Sequence, residues 1–185
     1  MEICKKCGKP KTPYDCLVGI SGGVDSSTVL RYAIQLGLRP LCFSLDNGWN
    51  TDEAKNNVKQ LVEKLEVPFV KYDINKQRFA ELQGAFMKAG LMSIEIPTDH
   101  ILFAATYKLA NDYGIKWILS GGNTATESIM PKSFGYNPWD LKHIKAVYKW
   151  ATGKKLVGLP TLSLLRWNYL KWVKGIKIFY LLDYL

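Results

Sequence analysis

Asp15-Cys16-Leu17-Val18-Gly19-Ile20 runs directly into Ser21-Gly22-Gly23-Val24-Asp25-Ser26-Ser27, and the chain changes character at that junction. The first six residues form a short apolar run, the pattern of a strand buried on both faces. From Ser26 to Leu36, residues Val29, Leu30, Ala33 and Ile34 recur at helical spacing, and Gly37 ends the helix. Strand, Gly-Gly turn and helix in succession make an anion site. The glycines let the backbone approach closely and aim its N–H groups inward, and the helix N-terminus adds partial positive charge. The hydroxyls of Ser21, Ser26 and Ser27 can donate to phosphate oxygens. Asp25 is out of character beside phosphate, which repels it; it serves either to hold Mg2+ or to brace the turn.

Two other phosphate loops share this outline and fail on their letters. A Walker A loop needs Gly-x-x-x-x-Gly-Lys-Ser/Thr, and no lysine stands between Ser21 and Leu30. A dinucleotide fingerprint needs Gly-x-Gly-x-x-Gly, which Gly19-Ile20-Ser21-Gly22-Gly23 does not supply.

Further along, strands and helices alternate. Leu41-Cys42-Phe43-Ser44-Leu45 reads as a second strand, opened by Pro40 and closed by Asp46-Asn47-Gly48. The next helix carries Ala54, Val58, Leu61, Val62 and Leu65 on one face, with Lys55, Lys59, Glu63 and Lys64 opposite. Phe69 to Tyr72 is a third strand, and residues 76–89 are helical with Phe79, Leu82, Phe86 and Met87 inward. Thr98 or Asp99 caps another helix, whose stripe is Ile101, Leu102, Ala105, Leu109 and Tyr113. Trp117-Ile118-Leu119 is a fourth strand, running into Ser120-Gly121-Gly122. This alternation predicts an α/β, Rossmann-like, doubly wound parallel sheet. Ligands of such sheets bind beyond the carboxyl ends of the strands, where both Ser-Gly-Gly turns fall.

The 185 residues, 48% of them apolar, suffice for one globular core. No apolar run reaches membrane-spanning length, and the basic stretch Met1 to Lys11 is followed by no signal-peptide core, so a cytoplasmic location is expected. Cys4, Cys7, Cys16 and Cys42 do not form a secreted disulfide framework. Cys4 and Cys7 make half a zinc site or a redox pair, while Cys16 and Cys42 read as core. Residues 129–185 carry ten Lys/Arg against only Asp140 and Asp183, and four of the six tryptophans. Such a segment attracts anions, nucleic acid or a membrane surface.

The string Ser21 to Ser26 resembles the S-G-G-x-D-S signature of the PP-loop (N-type) ATP pyrophosphatases. That resemblance implies a loop gripping the β- and γ-phosphates of ATP while AMP is transferred and pyrophosphate leaves. Four further segments are Phe43 to Thr51, Ile96 to His100, Ile118 to Ser128 and Phe134 to Asp140. Together they are similar to the N-acetyl sugar amidotransferases of surface-glycan and lipopolysaccharide pathways, which turn a sugar acetamido group into an acetamidino group. The resemblance implies ATP and Mg2+ as cofactors and an N-acetyl sugar or sugar nucleotide as substrate. None of the cysteines has a glutaminase context, so ammonia would come from solution or a separate glutaminase subunit.

By residue, the resemblance implies that Ser21, Gly22, Gly23, Val24, Asp25, Ser26 and Ser27 hold pyrophosphate, with Asp25 acting through Mg2+. Phe43, Ser44 and Leu45 would seat adenine, and Gly121, Gly122 and Asn123 would complete the nucleotide pocket. Glu127, after Thr126, either binds metal and orients substrate or is an ordinary helix-start carboxylate. Lys132 reaches a phosphate or is solvated, and His100 and His143 are the two histidine candidates for a general base. The organisation that follows is a leader at 1–13, an ATP-binding domain at 14–130 and a basic, aromatic, helical segment at 131–185 that begins a longer C-terminal region. A tRNA-modifying ligase or thiolase is the alternative; the basic C-terminal segment favours it, and the lack of a catalytic cysteine pair after the fourth strand opposes it. A non-catalytic ATP-binding module is the third reading. Nucleic acid ranks behind a sugar substrate, and the oligomeric state stays open.

Overall fold

A computed structural model describes residues 12–122 and 137–184. Its centre is a five-stranded, wholly parallel sheet in the order β3-β2-β1-β4-β5. The strands are β1 (Cys16–Gly19), β2 (Pro40–Asp46), β3 (Phe69–Asp73), β4 (Trp117–Ser120) and β5 (Lys177–Tyr180). The helices are α1 (Val24–Gln35), α2 (Asp52–Leu65), α3 (Lys76–Lys88), α4 (Ile96–Asp112), α5 (Leu141–Thr152) and α6 (Leu164–Asn168), which continues into a π-helical turn, Tyr169–Val173. The Rossmann-like, doubly wound reading holds.

Alternation along the central strands sorts the core into two layers. Cys16, Val18, Cys42 and Leu119 face α1 and α2, where Val29, Leu30, Ala33 and Val58 meet them. Leu17, Leu41, Phe43 and Ile118 face the opposite way, against Ala104, Tyr107, Leu109 and Ala110 of α4. These positions are apolar on both faces because a parallel sheet is covered on both sides. Cys16 and Cys42 are buried and not disulfide-bonded, and burial pushes the Cys42 thiol up to about 12, so the core reading of both stands. A third cluster joins α3, the start of α4 and α5 through Phe79, Leu82, Phe86, Ile96, Ile144 and Tyr148, with Leu45 of β2 packed against it.

Several boundaries differ from the sequence reading. α4 begins at Ile96, two to three residues before either expected cap; Glu95 stands at its N-cap and Pro97 in the first turn, where a missing N–H costs nothing. Leu102 and Met87 are exposed, as is Tyr113, which lies just past α4 and meets the ring of Tyr14 edge-on. On α2, capped by Thr51, only Val58 is fully buried, because Ala54, Val58 and Val62 border a cavity rather than a closed core. The C-terminal segment is better ordered than its many breakers suggest. It supplies α5, capped by Asp140, and β5, which pairs with β4 from Lys177 to Tyr180. Its aromatics divide: Trp139 and Trp167 pack on the core, whereas Trp150 and Trp172 are exposed.

Candidate functional site

β1 lies between β2 and β4. The chain leaves β1 toward one edge through β2 and β3, then returns to the other side at β4. The crevice at such a reversal, beyond the carboxyl ends of β1 and β4, is where α/β sheets hold ligands. Ser21-Gly22-Gly23 and Ser120-Gly121-Gly122 meet there. A Cβ added to Gly121 would sit 3.2 Å from the Ser26 nitrogen and 3.3 Å from its Cα, so the second turn lies directly on the first turn of α1. Gly22 adopts a left-handed φ of +86°, and a Cβ there would lie 2.5 Å from the Ala54 carbonyl oxygen. Only glycine permits both that dihedral and that approach of α2.

The serines hold this turn in shape. Ser26, buried under it, accepts from the Ser21 N–H (3.3 Å) and donates to the Gly23 carbonyl (3.2 Å). Ser27 also donates to the Gly23 carbonyl (2.7 Å), and the Gly23 N–H reaches the Ser21 hydroxyl (3.4 Å). Asn57 of α2 donates to the Gly22 carbonyl (3.3 Å), tying the turn to a second helix. Gly23 is the N-cap of α1, and among the described residues no side chain caps the helix start. Val24, 80% exposed, and Asp25 stand open to solvent at that helix start. An uncapped helix start in front of an open glycine turn leaves its donors available to an anion.

A cavity of about 310 Å3 runs from Ser21 along α2, past Ser44 and Asp46, to Phe69 and Lys71. That is the size of a small-molecule site. Its apolar wall is Ala54, Val58, Val62 and Phe69, and Lys55 and Lys59 line it as well. Of the three residues expected at the adenine, Ser44 lines this cavity. The Phe43 side chain is buried on the opposite face of the sheet and its carbonyl accepts from the Ile20 N–H (2.8 Å). Leu45 packs toward α3, and its carbonyl accepts from Asn50 (2.9 Å). At the cavity's edge Asp46 is almost fully covered, with Lys76 at 2.9 Å and Lys71 at 3.1 Å. The Lys76 ammonium, more than any other group, holds the Asp46 carboxyl down at about 2. Desolvation opposes the shift, and Lys71 and the Gly48 N–H add to it.

His100 has a different environment from that of a general base. It is 2% exposed, its Nε2 accepts from the Leu162 N–H (3.2 Å), and its Nδ1 lies 2.7 Å from the Pro138 carbonyl. An accepting Nε2 leaves the proton on Nδ1, which donates to Pro138. Burial depresses its pKa, Pro138 partly offsets that, and Lys145 adds a smaller push downward. The ring is a clasp between α4 and the chain segments on either side of α5. Gly122 lies beside Gly121, its N–H on the Ser120 hydroxyl (3.1 Å). Asn123, Thr126, Glu127 and Lys132 lie outside the described residues, as do Cys4 and Cys7. No cluster of three metal-ligating side chains occurs among the described residues. Asp25 therefore fits Mg2+ only in the way that ion commonly binds, through one or two carboxylates plus the phosphates of a bound nucleotide.

Sequence reasoning missed the cavity wall. Ala54, Val58 and Val62 look like any core stripe, and Lys55 and Lys59 like a solvated face. The available signal was their position on the helix that follows the second strand of the sheet, next to the Ser21-Gly22-Gly23 turn.

The family model for NAD synthase matches residues 5–159. The chain belongs to the NAD synthase family. This places it among the PP-loop ATP pyrophosphatases, as the Ser21 to Ser26 string predicts. No curated protein matches it. Solved structures share its fold. Glutamine-dependent NAD+ synthetase from Acinetobacter baumannii, in complex with ADP, aligns with a TM-score of 0.51 at 19% identity, over 64% of this chain and 23% of that one. A predicted subunit of tRNA methyltransferase from Methanocaldococcus jannaschii aligns with a TM-score of 0.53 at 15% identity, over 90% and 67%. NH3-dependent NAD synthetase from Campylobacter jejuni, in complex with nitrate, aligns with a TM-score of 0.52 at 15% identity, over 80% and 68%. The chain thus spans less than a quarter of the first of these proteins. Among the described residues no helix is long and apolar enough to cross a membrane.

Proposed function

We propose that this NAD synthase family domain binds ATP in the crevice and transfers AMP to the acetamido oxygen of an N-acetyl sugar, making it an ATP-dependent, AMP-forming amidotransferase of the ligase type. The observation that carries the ATP reading is the pair of Ser-Gly-Gly turns meeting over the uncapped start of α1. The N–H groups of Gly22, Gly23 and Val24 would take the β- and γ-phosphate oxygens, and Ser21 would turn its hydroxyl toward them. The cavity behind Ser21 and Ser44 offers adenine an apolar slot along α2, with Lys55 and Lys59 beside it. Asp25 would hold Mg2+, whose charge offsets that developing on the leaving pyrophosphate.

In the first step the acetamido oxygen attacks the α-phosphorus, a new P–O bond forms, and the bond to the β-phosphate oxygen breaks. In the second, ammonia attacks the imidate carbon, the C–O bond to AMP breaks, and loss of a proton from nitrogen leaves the acetamidino group. An amide oxygen is a poor leaving group until it carries AMP, so ATP supplies the missing driving force. Support for the sugar comes from the segments Phe43 to Thr51, Ile96 to His100 and Phe134 to Asp140. The family match favours a second reading in which the same adenylation acts on the carboxylate of an NAD precursor.

Pyrophosphate release decides between them. Release that requires both UDP-N-acetylglucosamine and an ammonium salt supports the sugar reading, and release with a nicotinate dinucleotide replaces it with the second. In either case Asp25→Ala should lower the rate at least about a hundredfold. A rate unchanged in that variant removes Asp25 from the mechanism.

A further inference from the structure

The stretch from Leu164 to Val173, α6 and the π-helical turn that continues it, is held to the core by one face only. Leu170 is buried there, and Trp167 packs on the same cluster with its ring 5.1 Å from that of Trp139. The other face carries Leu165, Tyr169, Trp172 and Val173, at the i, i+4, i+7 and i+8 spacing of a helical stripe. All four are exposed, Leu165 by 84% and Trp172 by 74%, and so is the neighbouring Leu164. A stripe with that spacing ordinarily turns inward; here one is buried and a second stands in water.

Cations border the exposed stripe. The Arg166 guanidinium lies 5.2 Å from the centroid of the Tyr169 ring and the Lys174 ammonium 5.8 Å from it. The Lys171 ammonium lies 4.8 Å from the Trp167 ring and 5.1 Å from that of Trp172. Among the described residues no ion pair involves any of the three. The nearest acids in sequence are Asp140 and Asp183. The face is thus apolar at its centre and positive at its margin, and what fits it must be apolar and negative in the same order.

Nucleic acid meets only half of that demand. Its phosphates would suit the cations and its bases the rings, but stacking gives Leu164, Leu165 and Val173 no partner. A bilayer with anionic headgroups meets all of it. Acyl chains take the aliphatic side chains, phosphates take Arg166, Lys171 and Lys174, and Trp and Tyr favour the boundary between the two. The position is compatible with turnover as well. Val173 leads within a few residues into the start of β5, at the amino edge of the parallel sheet, whereas the crevice lies at the carboxyl edge.

We propose that the exposed face of α6 and its π-helical turn docks on an anionic phospholipid surface. Leu165, Trp172 and Val173 enter the acyl boundary, and Arg166, Lys171 and Lys174 meet the headgroup phosphates. This goes beyond the adenylation reading and does not depend on which acceptor is adenylated.

The test is flotation of the full chain with vesicles. The chain should float with mixed phosphatidylglycerol and phosphatidylcholine and not with phosphatidylcholine alone. Leu165→Gln should weaken binding about tenfold and Lys174→Gln about fivefold. Lipids brominated on their acyl chains should quench tryptophan fluorescence in the parent and much less in Trp172→Phe. Lys64→Gln, on α2 at the other face of the sheet, controls for general basic charge and should bind like the parent. The substituted side chains are exposed, so near-ultraviolet circular dichroism of Leu165→Gln, and its pyrophosphate release without vesicles, should match the parent. Binding that Leu165→Gln leaves intact and that Lys64→Gln lowers as much as Lys174→Gln is plain charge adsorption and overturns the docking face. Absence of flotation overturns it too. Should the Leu165 and Lys174 variants instead lose binding to single-stranded RNA, or self-association in sedimentation velocity, the face belongs to nucleic acid or to a second copy of the chain.

Discussion

A methyl group added at Gly22 would meet the Ala54 carbonyl oxygen at 2.5 Å on a backbone already at φ +86°, whereas one at Gly121 would meet the Ser26 nitrogen at 3.2 Å on an ordinary backbone. The first contact is impossible without moving α2 and the dihedral alone costs about 1–2 kcal/mol, while the second needs a shift of a few tenths of an ångström. Gly22→Ala should therefore cost both stability and at least about tenfold in ATP affinity, and Gly121→Ala should lose affinity with little change in stability. Isothermal titration with Mg-ATP and urea unfolding separate the two. Asp46 supplies a second prediction. Its carboxyl titrates at about 2 in the fold against an ordinary 3.8, so as pH falls the unfolded chain takes up this proton first. The Asp46–Lys76–Lys71 cluster then stabilises fully above about pH 4 and loses its contribution as pH falls through about 2. Both lysines are half-exposed, so solvent screening limits the effect: Lys76→Met should cost about 1 kcal/mol near neutrality and almost nothing at the acid end. A cost that stays constant across that range would separate Lys76 from the Asp46 ionisation.

At the scale of elements, His100 makes α4 depend on chain far beyond it. Loss of the ring strands the Leu162 N–H and the Pro138 carbonyl and opens a hole in the core, so His100→Ala should destabilise by about 2–4 kcal/mol. The native ring is neutral and its pKa lies below the ordinary 6.5. Its contribution is then complete above about 6.5 and declines as pH falls toward the folded value, because the unfolded chain protonates first. Amide exchange should show the 137–162 segment opening earlier at pH 5.5 than at pH 7.5 in the parent, and equally early at both in the variant. His100 also marks where sequence reasoning stops. A histidine one residue after Asp99 looks the same whether it faces substrate or a backbone N–H sixty-two positions away. The first four strands were legible because each is an apolar run with a polar or glycine closure. β5 was not, since Lys177 and Tyr180 are exposed and only the middle of an edge strand is covered. α5 buries just Ile144 and Tyr148 fully, a stripe too thin to stand out between Pro138 and Gly153. In the crevice, Ser21 to Ser27 announced themselves by type and spacing. The cavity wall of Ala54, Val58 and Val62 did not, because it exists only once α2 packs against that turn.

The whole molecule sets its crevice by sheet order, and that order reaches into the C-terminal segment. β4 carries Ser120-Gly121-Gly122 to the start of α1, and β4 is itself held on its far side by β5 through the pairs Ile118↔Ile178 and Leu119↔Phe179. Beyond β5, Leu181 is buried in the same cluster as Val29, Leu30 and Leu119, so the segment that β5 anchors braces the helix that begins at the Ser21-Gly22-Gly23 turn. Ile178 packs instead on the α4 face, against the cluster that holds Leu17 and Ile118. A carboxylate there would enter a layer whose described cluster members carry no charge, and Ile178→Asp should destabilise by about 3 kcal/mol. If β5 does no more than cover one edge, Mg-ATP affinity measured well below the unfolding midpoint will equal that of the parent. The geometry argues otherwise. A Cβ added at Gly121 would already press on the Ser26 backbone at 3.2 Å, so small displacements of β4 change the spacing between the second Ser-Gly-Gly turn and the start of α1. Affinity should fall severalfold in Ile178→Asp while the chain is still folded by near-ultraviolet circular dichroism. Unchanged affinity in that window would confine the nucleotide site to the first four strands.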